Sequence, residues 1–190
     1  RVITQRHGGA GVPQSWLDRA RRDENGNIVV GFDYPNYIPF MSNSRHEAAR
    51  KRYYLGYTNR GTPRNLEVMD EITKLRKEIA DLYGVPSYAH YVTKRRMVEK
   101  PETVLRCLDE VRSVVTEAEV RDLAQLREVR AELDGIPVEQ ATINRWDMLF
   151  YRERLREQRF AIDQEALRRY FPTGPAVGWM LDISERLYAL

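Results

Sequence analysis

His46 and Glu47 stand side by side in the stretch NSRHEAARKRYY, residues 43–54, and both residue types can take part in metal chemistry. In the pattern His-Glu-x-x-His, two imidazoles on one helical face hold zinc, and the glutamate between them polarises the attacking water. Here Arg50 occupies the position of the second histidine. Because an arginine stays protonated, its charge would repel a metal ion. The spacing leaves two interpretations, a damaged zinc site or an ordinary polar helix start.

Other metal ligands are scarce in this chain. It contains three histidines, His7, His46 and His90, and one cysteine, Cys107. There is no Cys-x-x-Cys pair, so no other cluster has the spacing of a zinc site. We therefore interpret His46 as part of an ordinary helix and expect the chain itself to bind no metal.

The residues around His46 also have the character of a solvated helix start. Asn43 and Ser44 are both of the types that cap helix N-termini. The sequence predicts a helix over residues 43–59. Its solvated face is expected to carry His46, Glu47, Arg50 and Lys51.

Composition indicates a folded, globular chain. Of 190 residues, 42% are apolar, and 31 basic residues against 28 acidic ones give a formal charge of +3. The two signs are interleaved along most segments, so nucleic acid is not expected as a partner. No apolar run reaches the roughly 20 residues that cross a bilayer, so no membrane partner is expected. One unpaired cysteine fits a reducing compartment, and we expect a cytoplasmic protein.

Helical periodicity dominates the chain and predicts a mainly α fold. Apolar residues recur every three or four positions in most segments. The exception is NGNIVVGFDYP, where an Asn-Gly turn, a β-branched run and a closing proline predict at most one short β-hairpin near residues 27–34. The glycine-rich start lacks the spacing of a phosphate loop, and residues 1–12 are expected to form a flexible linker.

Three further helical segments show clear apolar faces. A helix near residues 64–83 is expected to bury the face formed by Leu66, Met69, Ile72, Leu75, Ile79 and Leu82. Pro101 opens a second helix over residues 101–134, which would need neighbours along its whole length. The last helix, after Ala176, is expected to leave apolar side chains uncovered, namely Val177, Trp179, Met180, Leu181, Ile183 and Leu187.

Five stretches follow one another in an order and spacing that resemble a known family. They are FDYPNYIPFM, KLRKEIADLYGVPSYAHYV, PETVLRCLDEV, WDMLFYRERLREQRFAIDQEALRRYFP and ERLYAL. Together, over nearly the whole chain, they resemble the middle of the thimet oligopeptidase and peptidyl-dipeptidase family of zinc peptidases. The chain departs from that family at Phe150, where a tyrosine is common, and at Ala189, where glycine is usual.

The resemblance implies that residues 1–190 are a single helical fragment of a larger parent protein. That fragment would be an antiparallel, bundle-like part of a two-lobed oligopeptidase, ending before the catalytic zinc-binding segment. Arg1, in place of a methionine, fits a chain cut from a longer one. The parent would hold zinc and hydrolyse short peptides in a deep channel with metal-bound water. This chain would supply no catalytic residue and be inactive alone.

The expected partners are short peptides, the remainder of the parent polypeptide, and further copies of the chain bound through exposed apolar surface. Polarity on the helical face near residue 150 makes Tyr151 and Arg154 the candidates for contact with peptide in the channel. The sequence leaves open whether the parent is an endopeptidase or removes carboxy-terminal dipeptides. Two other classes also stay open: a stand-alone helical protein-interaction module without enzymatic activity, and a helical nucleic-acid-binding domain.

Overall fold

The computed structural model describes residues 2–4, 6–161, 166–167 and 169–188, with side chains from residue 8 onward. Helices account for most of these residues, which confirms the predicted mainly α class. They are α1 (Gln14–Arg19), α2 (Tyr34–Asn43), α3 (Glu47–Thr58), α4 (Arg64–Leu82), α5 (Tyr88–Thr93), α6 (Pro101–Asp134), α7 (Met148–Phe160) and α8 (Thr173–Tyr188). Short 3-10 helices lie at Arg6–Gly9 and Val138–Gln140. Within the described ranges, no helix is long and apolar enough to cross a membrane.

The chain divides into two compact units. The terminal unit includes Ile3–Arg50 and the chain from Asn144 onward, and the central unit is Lys51–Ile143. In the terminal unit, α2 packs against α7. Its buried apolar side chains include Trp16, Ile28, Val30, Phe40, Met41, Phe150 and Tyr151. The rings of Trp16 and Phe40 lie 5.8 Å apart between centroids.

The strands are few and lie near the start of the chain. They are β1 (Val2–Thr4), β2 (Arg21–Arg22) and β3 (Ile28–Val30), in the sheet order β1-β3-β2. The hairpin of β2 and β3 is antiparallel, with Arg21 opposite Val29. Gly26, in the predicted Asn-Gly turn, has a φ of 75°, which glycine adopts without a Cβ clash. The hairpin therefore lies slightly earlier than residues 27–34, and β1 adds a third strand to it.

The prolines after β3 belong to a helix rather than to the end of a strand. Asp33 caps α2, and its Oδ1 accepts a hydrogen bond from the Asn36 amide at 3.1 Å. Pro35 stands in the first turn, where its missing N–H costs no helical hydrogen bond. Pro39 lies inside α2, where one such bond is absent. The expectation that Pro35 closes an extended segment is wrong, because the Asp33 cap lets the helix begin directly before it.

The glycine-rich segment contacts the junction between α2 and α3. The Gly8 carbonyl accepts a hydrogen bond from Ser44 Oγ at 2.7 Å. At Gly11, which has a φ of 89°, a Cβ would lie 2.5 Å from the Asn43 carbonyl oxygen. Residues 1–12, for which the sequence predicts a linker, thus include β1 and a 3-10 helix. The flexibility of this segment stays a prediction.

In the central unit, the C-terminal third of α6 contributes buried side chains. Leu126, Val129 and Ala131 are buried there. Gly135, in the left-handed conformation, ends the helix, and the Ile136 amide bonds back to the Ala131 carbonyl at 3.1 Å. The helix bounds at Pro101 and Asp134 agree with the sequence prediction.

The apolar face of α4 is exposed, which corrects the expectation that it is buried within the chain. Ala80 is the buried residue of this helix. The exposed apolar side chains are Leu66, Met69, Ile72, Leu75 and Leu82. The periodicity correctly predicted a helix with one apolar side, but periodicity does not reveal whether the chain also supplies a partner for that side.

Most of the apolar side chains of α8 are exposed as predicted, whereas Ile183 is half-buried. Trp179, for example, exposes 67% of its surface. The other exposed large apolar residues of this helix are Val177, Met180, Leu181, Leu187 and Tyr188. The helix begins at Thr173, three residues before the predicted start, and residues 189–190 lie outside the described chain.

We predict that Asp33→Ala destabilises the terminal unit by about 1 kcal/mol, because the substitution removes the α2 cap. Asp33→Asn is the matched control and should retain most of that stability, since an asparagine oxygen can accept the same hydrogen bond. Urea unfolding of both variants measures the difference.

The effect of Asp33→Ala should also depend on pH. Hydrogen bonds from Asn36, chiefly from its side chain, hold the pKa of Asp33 below its ordinary value of 3.8. A carboxyl whose pKa is lowered by folding stabilises the fold above its unfolded pKa, and that contribution is lost as the pH falls through the folded pKa. The stability gap between the natural chain and Asp33→Ala should therefore shrink below pH 3.8. A gap that widens there would contradict the capping role.

Candidate functional site

Arg50, at the position where a metal-binding motif would have its second histidine, lies inside the terminal unit. Only 1% of its surface is exposed. α3 begins at Glu47 rather than at residue 43, because α2 continues to Asn43 and ends through Ser44. Ser44 thus follows α2 and does not cap α3. The expectation that Arg50 faces water is wrong, because inside the fold its guanidinium forms an ion pair with a carboxylate that is distant in sequence.

That carboxylate is Asp147, which directly precedes α7. Arg50 Nη2 donates to Asp147 Oδ1 at 2.6 Å, and the two side chains are 2% and 0% exposed. Arg50 Nη1 donates to the Ser44 carbonyl oxygen at 2.7 Å. Asn144 Nδ2 donates to the second carboxylate oxygen of Asp147 at 3.1 Å. Because a buried charge is tolerated only with a partner and hydrogen bonds, this set of contacts keeps both ions in the interior.

Aromatic rings complete the surroundings of the Arg50 guanidinium. Its central carbon lies 4.3 Å from the centroid of the Phe150 ring and 6.0 Å from that of Tyr151. The two rings meet edge to face, with centroids 5.2 Å apart. A guanidinium over an aromatic face is attracted by the ring quadrupole, and the attraction grows when water is excluded. The first turn of α7, which directly follows Asp147, therefore supplies the aromatic rings beside the Arg50 guanidinium.

The two residues that resemble a metal motif have separate surroundings. Glu47 Oε1 accepts a hydrogen bond from Trp146 Nε1 at 3.2 Å, so the carboxylate that would polarise a water is bonded to an indole. His46 is exposed at the start of α3. Together with the Arg50 pair, these contacts join the start of α3 to the segment that leads into α7.

The two candidates for peptide contact, Tyr151 and Arg154, both lie on α7. Tyr151 is buried, with 3% of its surface exposed. Arg154 Nη2 donates to Asn43 Oδ1 at 3.0 Å and lies 3.1 Å from a carboxylate oxygen of Glu157. The structure brings both residues close to Phe150. These contacts are of the kind that pack α7 against α2, and contact of either residue with peptide stays a prediction.

A zinc ion would need ligands that this part of the chain does not bring together. A catalytic zinc takes three protein ligands and keeps an open position for water. Among the side chains that the structure describes, no group of three or more histidine, cysteine, aspartate or glutamate residues is arranged to hold a metal ion. Near His46, Glu47 is bonded to Trp146 and Arg50 is a cation. The described residues therefore do not fit a zinc site.

Sequence reasoning missed the role of Asp147. The residue lies 97 positions after Arg50, and no local pattern connects the two. Its place directly before α7 is typical of an N-cap residue, yet its side chain makes no capping hydrogen bond. A cap-type residue between a tryptophan and an amphipathic helix was the available signal, but only the tertiary structure shows that its carboxylate pairs with Arg50.

We predict that Arg50→Met destabilises the terminal unit by about 3–5 kcal/mol, because it leaves the Asp147 carboxylate buried without its cation. Arg52→Met is the matched control: this arginine is exposed on the same helix, so its replacement should cost less than about 1 kcal/mol. The measurement is urea unfolding followed by circular dichroism.

A double-mutant cycle separates the charge pair from packing. Arg50→Met combined with Asp147→Leu should recover part of the stability that Arg50→Met loses, because the second change removes the stranded charge. Strictly additive losses in the double variant would show that the two side chains do not stabilise each other.

Comparison with known proteins identifies the family. Residues 40–190 match the model of peptidase family M3. The chain is 30% identical over 202 aligned residues to oligopeptidase A of Salmonella typhimurium, covering 100% of the chain and 29% of that protein. Oligopeptidase A of Escherichia coli is 29% identical over 202 residues, with 100% and 29% coverage. The organellar oligopeptidase A of Arabidopsis thaliana, named chloroplastic/mitochondrial, is 31% identical over 170 residues, with 88% and 21% coverage.

The alignments cover most of this chain but only a small part of each relative. The chain spans 29% of the length of the two bacterial relatives. The family match covers α3 to α8 and begins inside α2, so it includes both Arg50 and Asp147. On these grounds, the chain belongs to peptidase family M3.

Proposed function

We propose that this chain is a non-catalytic helical segment of a zinc-dependent oligopeptidase that hydrolyses short peptides. Membership in peptidase family M3 supports a peptidase as the parent. The relatives are named oligopeptidases, and the chain spans less than a third of the two bacterial ones. In this proposal, zinc and the residues that activate water belong to a part of the parent outside this chain.

The observation that carries the non-catalytic role is the buried Arg50–Asp147 pair. It occupies the helix position that a second zinc ligand would need, and it does so with a cation. The proposed contribution of the chain is structural: its helices form part of the wall of a peptide channel. Short peptides and the remainder of the parent polypeptide are its proposed partners, and the cytoplasm its proposed location.

A stand-alone helical interaction module is the second candidate. The exposed apolar residues of α8 favour it, since such a surface is typical of a protein-binding site. The reading frame that encodes the chain distinguishes the two functions. A frame that runs on through a His-Glu-x-x-His motif supports the peptidase segment, and a frame without one supports the module.

We predict that the isolated chain does not cleave peptides, and that Arg50→His does not make it a peptidase. The substitution would complete the letters His-Glu-x-x-His, but the third ligand would still be missing and Asp147 would lose its cation. The assay uses a quenched short peptide with added Zn²⁺, and its positive control is the full parent polypeptide.

A chelator separates the possible results of this assay. The parent should show turnover that the chelator abolishes, whereas the chain and its Arg50→His variant should show none. Chelator-sensitive turnover by the natural chain would overturn the non-catalytic role. A parent without such turnover would overturn the peptidase proposal itself.

A further inference from the structure

Three tyrosines lie together where α4 meets α5. Tyr83 directly follows α4, and Tyr88 and Tyr91 belong to α5. The ring centroids of Tyr83 and Tyr91 are 4.5 Å apart, with an angle of 39° between the ring planes. Those of Tyr88 and Tyr91 are 5.8 Å apart. Aromatic pairs in proteins have centroids about 4.5–7 Å apart, so Tyr83 and Tyr91 are at the short end of that range.

The turn between α4 and α5 brings these rings together. Gly84 has a φ of 62°, and the Val85 amide donates to the Ala80 carbonyl at 3.0 Å, as in the usual glycine ending of a helix. At the start of α5, the Ser87 side chain accepts a hydrogen bond from the His90 amide at 3.4 Å. Both helix ends are therefore fixed by hydrogen bonds of the backbone, and the ring contact follows from the path of the chain.

The hydroxyl ends of the closer pair are also neighbours. A side-chain hydrogen bond with Tyr83 is the main cause that holds the pKa of Tyr91 above its ordinary value of 10.0. When a phenol loses one electron and its proton, the unpaired electron is shared between the oxygen and the ring, chiefly at the carbons ortho and para to the oxygen. The ortho carbons carry a hydrogen and can form a new bond. Because the two rings lie together with their hydroxyl ends adjacent, their ortho carbons are adjacent as well.

A dissolved oxidant can reach this pair. Tyr83 exposes 64% of its surface, and Tyr91 is half-buried. Tyr88 is also half-buried, and the central carbon of the Arg76 guanidinium lies 5.0 Å from the centroid of its ring. Oxidation of protein side chains follows their exposure, as it does for cysteine and methionine. Tyr83 is therefore both the closer and the more accessible of the two neighbours of Tyr91.

We propose that Tyr83 and Tyr91 form a site of oxidative cross-linking, at which an oxidant of the haem-peroxidase class joins the two rings as dityrosine. Each phenol gives up one electron and its hydroxyl proton. The two radicals couple through a bond between one ortho carbon of each ring, and the hydrogen on each of these carbons moves to the phenol oxygen. In total, one C–C bond replaces two C–H bonds. The two electrons and two protons reduce hydrogen peroxide to water.

The cross-link would fasten α5 to the end of α4. Each of the six residues of α5 is exposed or half-buried, so this short helix gains little stability from burial of its own side chains. A covalent bond between its third turn-forming ring, Tyr91, and Tyr83 would limit its separation from α4. The chemistry needs neither zinc nor a peptide substrate, so this site goes beyond the proposed peptidase role and does not depend on it.

Mass spectrometry can locate the bond. The natural chain is treated with a haem peroxidase and hydrogen peroxide, reduced, and digested with trypsin, which releases all three tyrosines in one peptide, residues 78–94. The cross-linked peptide is lighter by two hydrogen atoms. A bond between Tyr83 and Tyr91 keeps together all fragments cut between these two residues. A bond between Tyr88 and Tyr91 still lets the fragments separate when the cut lies between residues 83 and 88.

The expected product is the bond between Tyr83 and Tyr91, in a yield that does not change with the concentration of the chain. Tyr83→Phe should abolish this product, because phenylalanine has no phenol to oxidise. Tyr34→Phe is the matched control: Tyr34 is 68% exposed, and its replacement should leave the yield unchanged. A synthetic peptide of residues 78–94 should give a lower yield, because it lacks the rest of α4 and the folded turn.

Three other results would overturn the proposal. The first is a natural chain in which the peptide of residues 78–94 never loses two hydrogen atoms. The second is a bond at another place, either between Tyr88 and Tyr91 or between two copies of the peptide in a yield that rises with concentration. The third is an equal yield from the native chain and the synthetic peptide, since closeness in sequence would then select the pair and the fold would not.

Discussion

The buried ion pair between Arg50 and Asp147 is the constraint on which the terminal unit depends. Removing two charges from water is expensive, and a pair recovers that cost only when its geometry and hydrogen bonds are good. Here the Ser44 carbonyl accepts a further hydrogen bond from Arg50, the Asn144 amide donates one to Asp147, and the Phe150 ring lies 4.3 Å from the guanidinium carbon. The start of α3 and the segment before α7 must therefore stay together, because separation would leave a buried charge without a partner.

The same pair decides what the residues around it can do. The stretch that resembles a metal motif uses its basic residue as an internal cation and its glutamate as the acceptor for Trp146. The Arg50 guanidinium cannot take the place of a metal ligand at this helix turn, because a ligand must offer a lone pair and a guanidinium offers none.

In contrast to the buried charges of Arg50 and Asp147, many apolar side chains of α4 and α8 are exposed. Both helices carry ion pairs between exposed charged side chains. Their large apolar side chains are mostly exposed in the described chain. A family member that spans 29% of the length of its bacterial relatives is where such surfaces are expected. The terminal unit contains a buried ion pair, whereas the large apolar side chains of α4 in the central unit are exposed.

The sequence alone determined the helices with strong periodicity and clear end signals. Pro101 and Gly135 mark α6, and the amphipathic pattern marks α4, because local backbone and side-chain preferences act over a few residues. The ordered series of motifs also identified the family. The prediction at α2 was wrong: Pro35 suggested the end of a strand, but the Asp33 cap begins a helix there.

Only the tertiary structure decided which polar residue is buried and which apolar face is exposed. Arginine is a residue type that usually lies at the surface, and the burial of Arg50 depends on Asp147, 97 residues away. The large apolar residues of α4 have the periodicity of a buried face, yet most of them are exposed in the described structure. Burial depends on partners distant in sequence, whereas periodicity reports only on the helix itself.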